Sequence, residues 1–170
     1  MRTLLFSLPL LLSLPLQAQV ADVKKPACAD AVFHQFDFWV GDWDVTTPQG
    51  KPAGRNRIQA VLKGCAISEE WTGAGGTNGR SYSAWDARNA QWNQYWVADD
   101  AGVLYLSGSL QGGSMVLSGE QMDPASGKRS PQRVTWTPNA DGSVRQLWES
   151  SADGGKTWTT VFEGIYRRRA

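Results

Sequence analysis

The chain reads as an all-β protein: about ten antiparallel strands closed up-and-down into a barrel, preceded by a short helical segment. Three observations lead there. From Asp42 onward, short segments of alternating polarity are separated by turns rich in Gly, Asn, Asp and Pro, as hairpin-linked strands require. Beyond that point no stretch keeps a helical period for three turns. The segments are evenly spaced with no crossover helices, so the sheet has two edges to dispose of, and closure into a barrel removes both. A sandwich is the alternative architecture for short strands.

The chain opens on MRTLLFSLPLLLSLPLQA, with one charge at Arg2, an apolar run from Leu4 to Leu16 and the small Ala18. That is the pattern of a secretory signal peptide over residues 1–18, cut after Ala18 or alternatively after Ala21. Pro9 and Pro15 interrupt the run, which falls short of the ~20 residues of a spanning helix. Cys28 follows KPA, which is no lipoprotein box, so the mature chain is expected to be periplasmic or secreted, with no membrane span. Residues 19–32 form an N-terminal segment and 33–170 a single barrel domain; about 150 residues suffice for one core. Two cysteines in an exported chain predict one disulfide, Cys28 with Cys65, which restricts the unfolded chain by about 4 kcal/mol in the chain-entropy model. Without Arg2 the formal charge falls from +1 to 0, so no net field favours nucleic acid or an anionic membrane.

Ala29 to Phe38 holds the only helical pattern, with Asp30 as its cap. Strands are expected at Asp42 to Thr47, Gly54 to Leu62, Ala66 to Thr72, Gly79 to Asp86 and Gln91 to Ala98. Five more follow at Val103 to Ser109, Ser114 to Met122, Gln132 to Pro138, Ser143 to Ser150 and Lys156 to Arg168. Arg167 to Arg169, the only basic cluster, reads as a solvated tail. A barrel of about ten strands is wider than side chains fill, so a cavity is expected. Alternation assigns the faces. Asn56, Ile58, Ala60 and Leu62 share one side of their strand, leaving Asn56 as a polar residue on an apolar face. Glu69 shares a side with Ile67 and Trp71, while Trp92, Gln94 and Trp96 oppose Asn93, Tyr95 and Val97.

SADGGKTW, Ser151 to Trp158, fits the S-x-D-x-G-x-x-W pattern of the Asp-box hairpins of sialidase propellers. Its chemistry is local: Ser and Asp bind turn amides, and the Trp covers the turn. A propeller repeats the motif through at least four blades of four strands, which about ten strands cannot supply. The motif is a folding signal here, echoed by DARNAQW (Asp86 to Trp92) and DGSVRQLW (Asp141 to Trp148).

Catalytic and metal sites find little support. With one histidine, His34, and paired cysteines, no zinc set assembles, and no nucleophile elbow accompanies His34. It is expected to pack on or cap the barrel mouth. Asp42 and Asp44 suit a solvated outer face, and Asp99 and Asp100 a turn. Glu69 alone has the placement of a buried acid with a raised pKa, which is a weak catalytic candidate; an internal ion pair with an Arg, or ligand recognition, explains it more simply. Among the nine tryptophans, Trp39 and Trp43 sit where the chain enters the barrel, as plug and base. Trp71, Trp85, Trp96, Trp136 and Trp148 either fill the core or line a pocket for apolar or aromatic small molecules. With Asn56 and Glu69 they form the expected ligand site.

FDFWVGDWDV (Phe36 to Val45), GCAISEEW, YWVADDAGVLYLSG, TWTPNADGSVRQLWE and SADGGKTWTTVFEGIYRR together resemble an uncharacterised family of exported bacterial proteins, a domain of unknown function. The resemblance spans nearly the whole mature chain, and the F-D-F-W-x-G-x-W segment is its most specific part. Members are similar to calycin-type barrels: lipocalins, fatty-acid-binding proteins and nitrobindins. The G-x-W that closes the lipocalin base matches Gly41, Asp42 and Trp43. The resemblance implies a small hydrophobic ligand inside the barrel. Nitrobindins hold haem through a late histidine; this chain has none after His34, so no cofactor is implied. Three functions remain open: a binding protein, an isomerase- or cyclase-like enzyme using a buried carboxylate, or a ligand-free structural or envelope-interaction protein.

Overall fold

The computed structural model describes residues 27–123 and 125–169. The leader expected over 1–18 lies outside them, as does much of the segment 19–32. Ten strands follow the N-terminal segment: β1 (Gly41–Thr46), β2 (Pro52–Val61), β3 (Ala66–Gly73), β4 (Asn78–Asp86), β5 (Gln91–Ala98), β6 (Val103–Gln111), β7 (Ser114–Met122), β8 (Arg129–Pro138), β9 (Val144–Ser150) and β10 (Thr159–Arg168). Each pairs with its sequence neighbour, and β1 pairs antiparallel with β10, Trp43 opposite Arg168 and Thr46 opposite Ile165, closing the barrel. The fold is a calycin-like, up-and-down barrel. Because the strands alternate in direction, the starts of β1, β3, β5, β7 and β9 gather at one end, and their ends at the other.

Period-2 alternation gives the wall two chemistries. Inward positions are mostly apolar and buried, among them Val45, Ile58, Ile67, Leu106, Leu117 and Val134, with Asn56, Glu69, Ser81, Ser83, Gln94 and Gln132 buried beside them. Many outward positions carry charges paired across strands, as Asp44 with Arg55 at 3.3 Å, Arg133 with Glu149 at 2.8 Å and Arg145 with Glu163 at 2.7 Å, while Tyr82, Tyr95 and Tyr105 lie exposed side by side on β4, β5 and β6. No helix among the described residues is long and apolar enough to cross a membrane.

The short helical segment expected before the first strand is present. It forms two short 3₁₀ turns, Ala31–His34 and Asp37–Trp39, and the Asp30 side chain does not cap the first. The tighter winding has a reason: at three residues per turn, positions i and i+3 eclipse, which puts Phe36 and Trp39 on one side, stacked with centroids 5.0 Å apart. Both are fully buried. Phe36 meets the edges of Trp92 and Trp136 at 5.8 and 5.2 Å, and Trp43 Nε1 donates to the Trp39 carbonyl at 2.9 Å. These aromatics stop the end of the barrel where β1 begins. His34 lies outside the plug, half-exposed, with Nδ1 2.8 Å from Asp37 Oδ2, and does not reach the other end. The Cys28–Cys65 disulfide, Cα atoms 5.1 Å apart, ties the segment to the β2–β3 connection.

Three details differ from expectation. β2 stops at Val61 because Leu62 and Lys63 turn with φ of 53° and 59°; Leu62 is thereby 72 % exposed, and Ala60 is exposed too, instead of continuing the inward face. The arginine cluster is no trailing tail, since β10 runs through Arg168. The Arg168 guanidinium lies 4.5 Å over the Trp43 ring and donates to the Val40 carbonyl at 3.1 Å; Gly41 beside them has a φ of 156°, a conformation that suits the glycine of G-x-W. Finally, β10 starts at Thr159, not Lys156. Asp153 Oδ1 accepts the amides of Lys156 and Thr157 at 3.0 and 2.8 Å, and Ser151 Oγ that of Gly155 at 2.7 Å, so the Asp-box loop holds that stretch. Asp153 also accepts from the Thr157 hydroxyl at 2.6 Å and the Ser151 hydroxyl at 2.8 Å, and its hydrogen bonds, the Thr157 hydroxyl first, pull its pKa down to about 2.

Candidate functional site

At the end opposite the plug the barrel is hollow. A cavity of about 230 Å³ opens between the β3–β4 and β5–β6 turns, with Thr77, Asp100, Gly102 and Val103 at its rim. Its floor is Trp136, whose other contacts are Phe36 and Trp39 of the plug. Trp71, Trp96, Trp148 and Phe162 form the upper wall, and Glu69, Gln94, Gln146 and Tyr166 its polar lining. The volume lies just below the roughly 300–1,000 Å³ usual for ligand pockets, which points to a small guest.

The wall rings are held by backbone without side chains. A Cβ would come within 2.7 Å of the Trp71 ring at Gly54, 2.2 Å of Trp96 at Gly79 and 2.8 Å of Phe162 at Gly164. Trp71 and Trp96 rest where the neighbouring strand carries glycine, and Phe162 rests over a glycine two residues along its own strand. Trp71 and Phe162 meet edge-on at 5.8 Å. Trp148 is oriented differently: its Nε1 donates to Gln132 Oε1 at 2.7 Å, and Gln132 Nε2 donates to Ser130 Oγ and Ser150 Oγ, each at 2.9 Å. Four aromatic side chains thus face the cavity.

Glu69 projects from the middle of β3, 6 % exposed. Asn56 Nδ2 donates to its Oε1 at 2.7 Å, and Ser81 Oγ donates to its Oε2 at 2.6 Å. The Asn56 amide also reaches Tyr166 Oη at 3.4 Å, and that phenol donates to Gln146 Oε1. The chain Ser81, Glu69, Asn56, Tyr166, Gln146 therefore crosses from β4 to β9 inside the barrel. Burial raises the Glu69 pKa to about 7 against the lowering effect of its two hydrogen bonds. Burial, reinforced by the Glu69 charge, likewise holds the proton on Tyr166. No arginine compensates Glu69. The internal ion pair expected as one explanation is absent among the described residues, and ion-paired arginines lie on the outer face. Asn56 Oδ1 has no hydrogen-bond partner; rotating the amide presents that oxygen to a protonated Glu69, so one side chain can serve either protonation state.

The structure brings Glu69, Trp71, Trp96, Trp136 and Trp148 to one cavity. Asn56 stands behind Glu69 instead of on the surface of the cavity. Trp85 faces inward but lies opposite Trp92, at the plugged end, where Trp92 Nε1 donates to Gln35 Oε1 at 3.1 Å; it packs against the core. Trp39, Gly41 and Trp43 sit together at that closed end. Sequence reading passed over Ser81, Gln94, Gln146, Phe162 and Tyr166 as site residues. The alternation of QWNQYWVA did put Gln94 on the face of Trp92 and Trp96, and the same count along β10 groups Phe162 with Tyr166. No group of three or more His, Cys, Asp or Glu among the described residues could hold a metal ion. No family model matches the chain, and no curated protein matches it.

Proposed function

We propose that this is a periplasmic or secreted binding protein that holds a small, largely apolar molecule in the open end of the barrel. The observation that carries the reading is the hollow above Trp136: a packed interior of equal tryptophan content would leave no room for a guest. Trp71, Trp96, Trp148 and Phe162 supply flat apolar contact, and Glu69 supplies a polar anchor fixed in place by Asn56 and Ser81. The disulfide fits an oxidising compartment, and the likeness of FDFWVGDWDV to the exported calycin-like family supports both the compartment and the mode of binding. Binding inside calycins is an argument from fold, and the weight rests on the cavity itself.

An enzymatic reading has one observation in its favour. A carboxyl with a pKa of about 7, hydrogen-bonded into a chain with a phenol, is poised for proton transfer near neutrality. The two readings part on the fate of the guest. In a native mass spectrum of protein exported with its own leader, binding predicts an adduct of a few hundred daltons that is released unchanged on denaturation. Conversion of the released molecule by fresh protein would favour the enzyme. Bare protein in repeated independent preparations would count against both.

A further inference from the structure

We propose that the guest carries a cationic nitrogen, an amine or ammonium group seated against Glu69, with an apolar or aromatic body among the tryptophans. This rests on the cavity reading above and adds the chemical class of the ligand.

The cavity holds no cationic side chain. Its lining includes two carboxyl side chains, Glu69 and Asp100, and no Lys, Arg or His. A site built for a carboxylate or phosphate places a cation or a cluster of N–H donors at its polar end. Here the polar end is acidic and already takes its donors from the protein. Fatty acids and other anions are therefore disfavoured on charge alone.

The second observation is the missing counter-charge. Elsewhere in the barrel carboxylates meet arginines, as at Arg145–Glu163 and Arg133–Glu149. Glu69, the most buried carboxylate, meets only the neutral Asn56 and Ser81. A buried charge without a partner is strongly disfavoured, and the one direction from which a cation can arrive is the cavity. The third observation is the wall. Ring faces carry negative potential and attract cations within about 6 Å. Trp71, Trp96 and Trp148 surround the approach to Glu69, and Gln94, whose Nε2 donates to Ser83 Oγ at 3.1 Å, has its carbonyl oxygen left as an acceptor. Carboxylate, amide oxygen and ring faces all suit an N–H donor cation.

Ionisation of Glu69 gives the proposal a pH signature. The groups facing it are Asn56 from β2, Ser81 from β4 and Tyr166 from β10, with Asp100 at the rim; burial keeps the Tyr166 phenol protonated, while the Glu69 pKa of about 7 puts its ionisation near neutrality. Three probes with one shape test the class: phenethylamine, phenethyl alcohol and 3-phenylpropanoate, titrated against the exported mature protein by tryptophan fluorescence and calorimetry. The amine is expected to bind at least about tenfold tighter than the alcohol, and the carboxylate more weakly than both. Its affinity should fall about tenfold or more between about pH 8 and about pH 5.5, as Glu69 takes up its proton, while the alcohol's stays level. Glu69→Gln should bring the amine down to the alcohol's affinity; the wild-type pH series stands in if that variant folds poorly. An alcohol or carboxylate that binds as well as the amine overturns the charge assignment and leaves the binding pocket standing. No binding by any probe up to millimolar concentration overturns both.

Discussion

Glu69 is a carboxyl group placed where ionisation is unfavourable, and the consequence can be read in stability. Its pKa in the folded protein, about 7, lies above the ordinary 4.5, so the folded state keeps the proton that the unfolded chain has already lost. The contribution of this residue is therefore full below pH 4.5, declines up to about pH 7 and stays low above it. The decline amounts to about 3 kcal/mol. Glu69→Gln removes the titrating group, so urea unfolding of wild type and variant at about pH 4.5 and about pH 8 should show the gap between them shifting by about that amount in the variant's favour. Curves that keep a constant gap would mean that Glu69 is better solvated than its burial implies. Asp153 acts in the opposite sense: its lowered pKa stabilises the Asp-box loop above the unfolded value of 3.8, and this is lost as pH falls toward 2. The two windows do not overlap, so the residues can be told apart in one titration series.

The plug is the element on which the closed end depends. Trp43 is wholly buried, bonded to the Trp39 carbonyl and covered by Arg168. Trp43→Ala should cost about 3–5 kcal/mol by losing a full indole from a packed site, seen as a large drop in the urea or thermal midpoint; an unchanged melting curve would show that the end is held by other contacts. Elements were legible in the sequence to the extent that their signal was local. Turn residues and alternation located all ten strands, because Asx turns such as those of Asp86 and Asp141 are fixed by their own neighbours. The 3₁₀ turns were not legible, since nothing in AVFHQFDFW itself tells that Phe36 and Trp39 must both face one core. Glu69 was legible because it shares parity with Ile67 and Trp71 on one strand. Trp85 and Trp96 share inward parity as well, and only the strand register tells that one lies beside the plug and the other at the cavity. Parity gives the face, but depth along the barrel needs partners that are far away in sequence. The Gln146–Tyr166–Asn56 chain was hidden for the same reason, joining β9, β10 and β2.

At the scale of the whole molecule, the fold divides a closed wall into two compartments of unequal packing. The end where β1 begins is filled by Phe36, Trp39, Trp43, Trp92 and Trp136, while the end bearing the β3–β4 and β5–β6 turns is open down to Trp136. Stability thus concentrates at one end, and the other is free to keep a cavity whose walls rest on glycines and on Gln132. Such a division predicts that a guest is felt locally. Eight of the nine indole N–H groups, all but that of Trp158 on the outer face, report both compartments at once in a ¹H–¹⁵N spectrum of the uniformly labelled protein, assigned by single Trp replacements. Titration with phenethylamine should shift the signals of Trp71, Trp96 and Trp148 and leave those of Trp39 and Trp43 in place. Shifts centred on the plug, or no shift at any indole with phenethylamine or with phenethyl alcohol and 3-phenylpropanoate at millimolar concentration, would mean that the open end is not where this protein receives a small molecule.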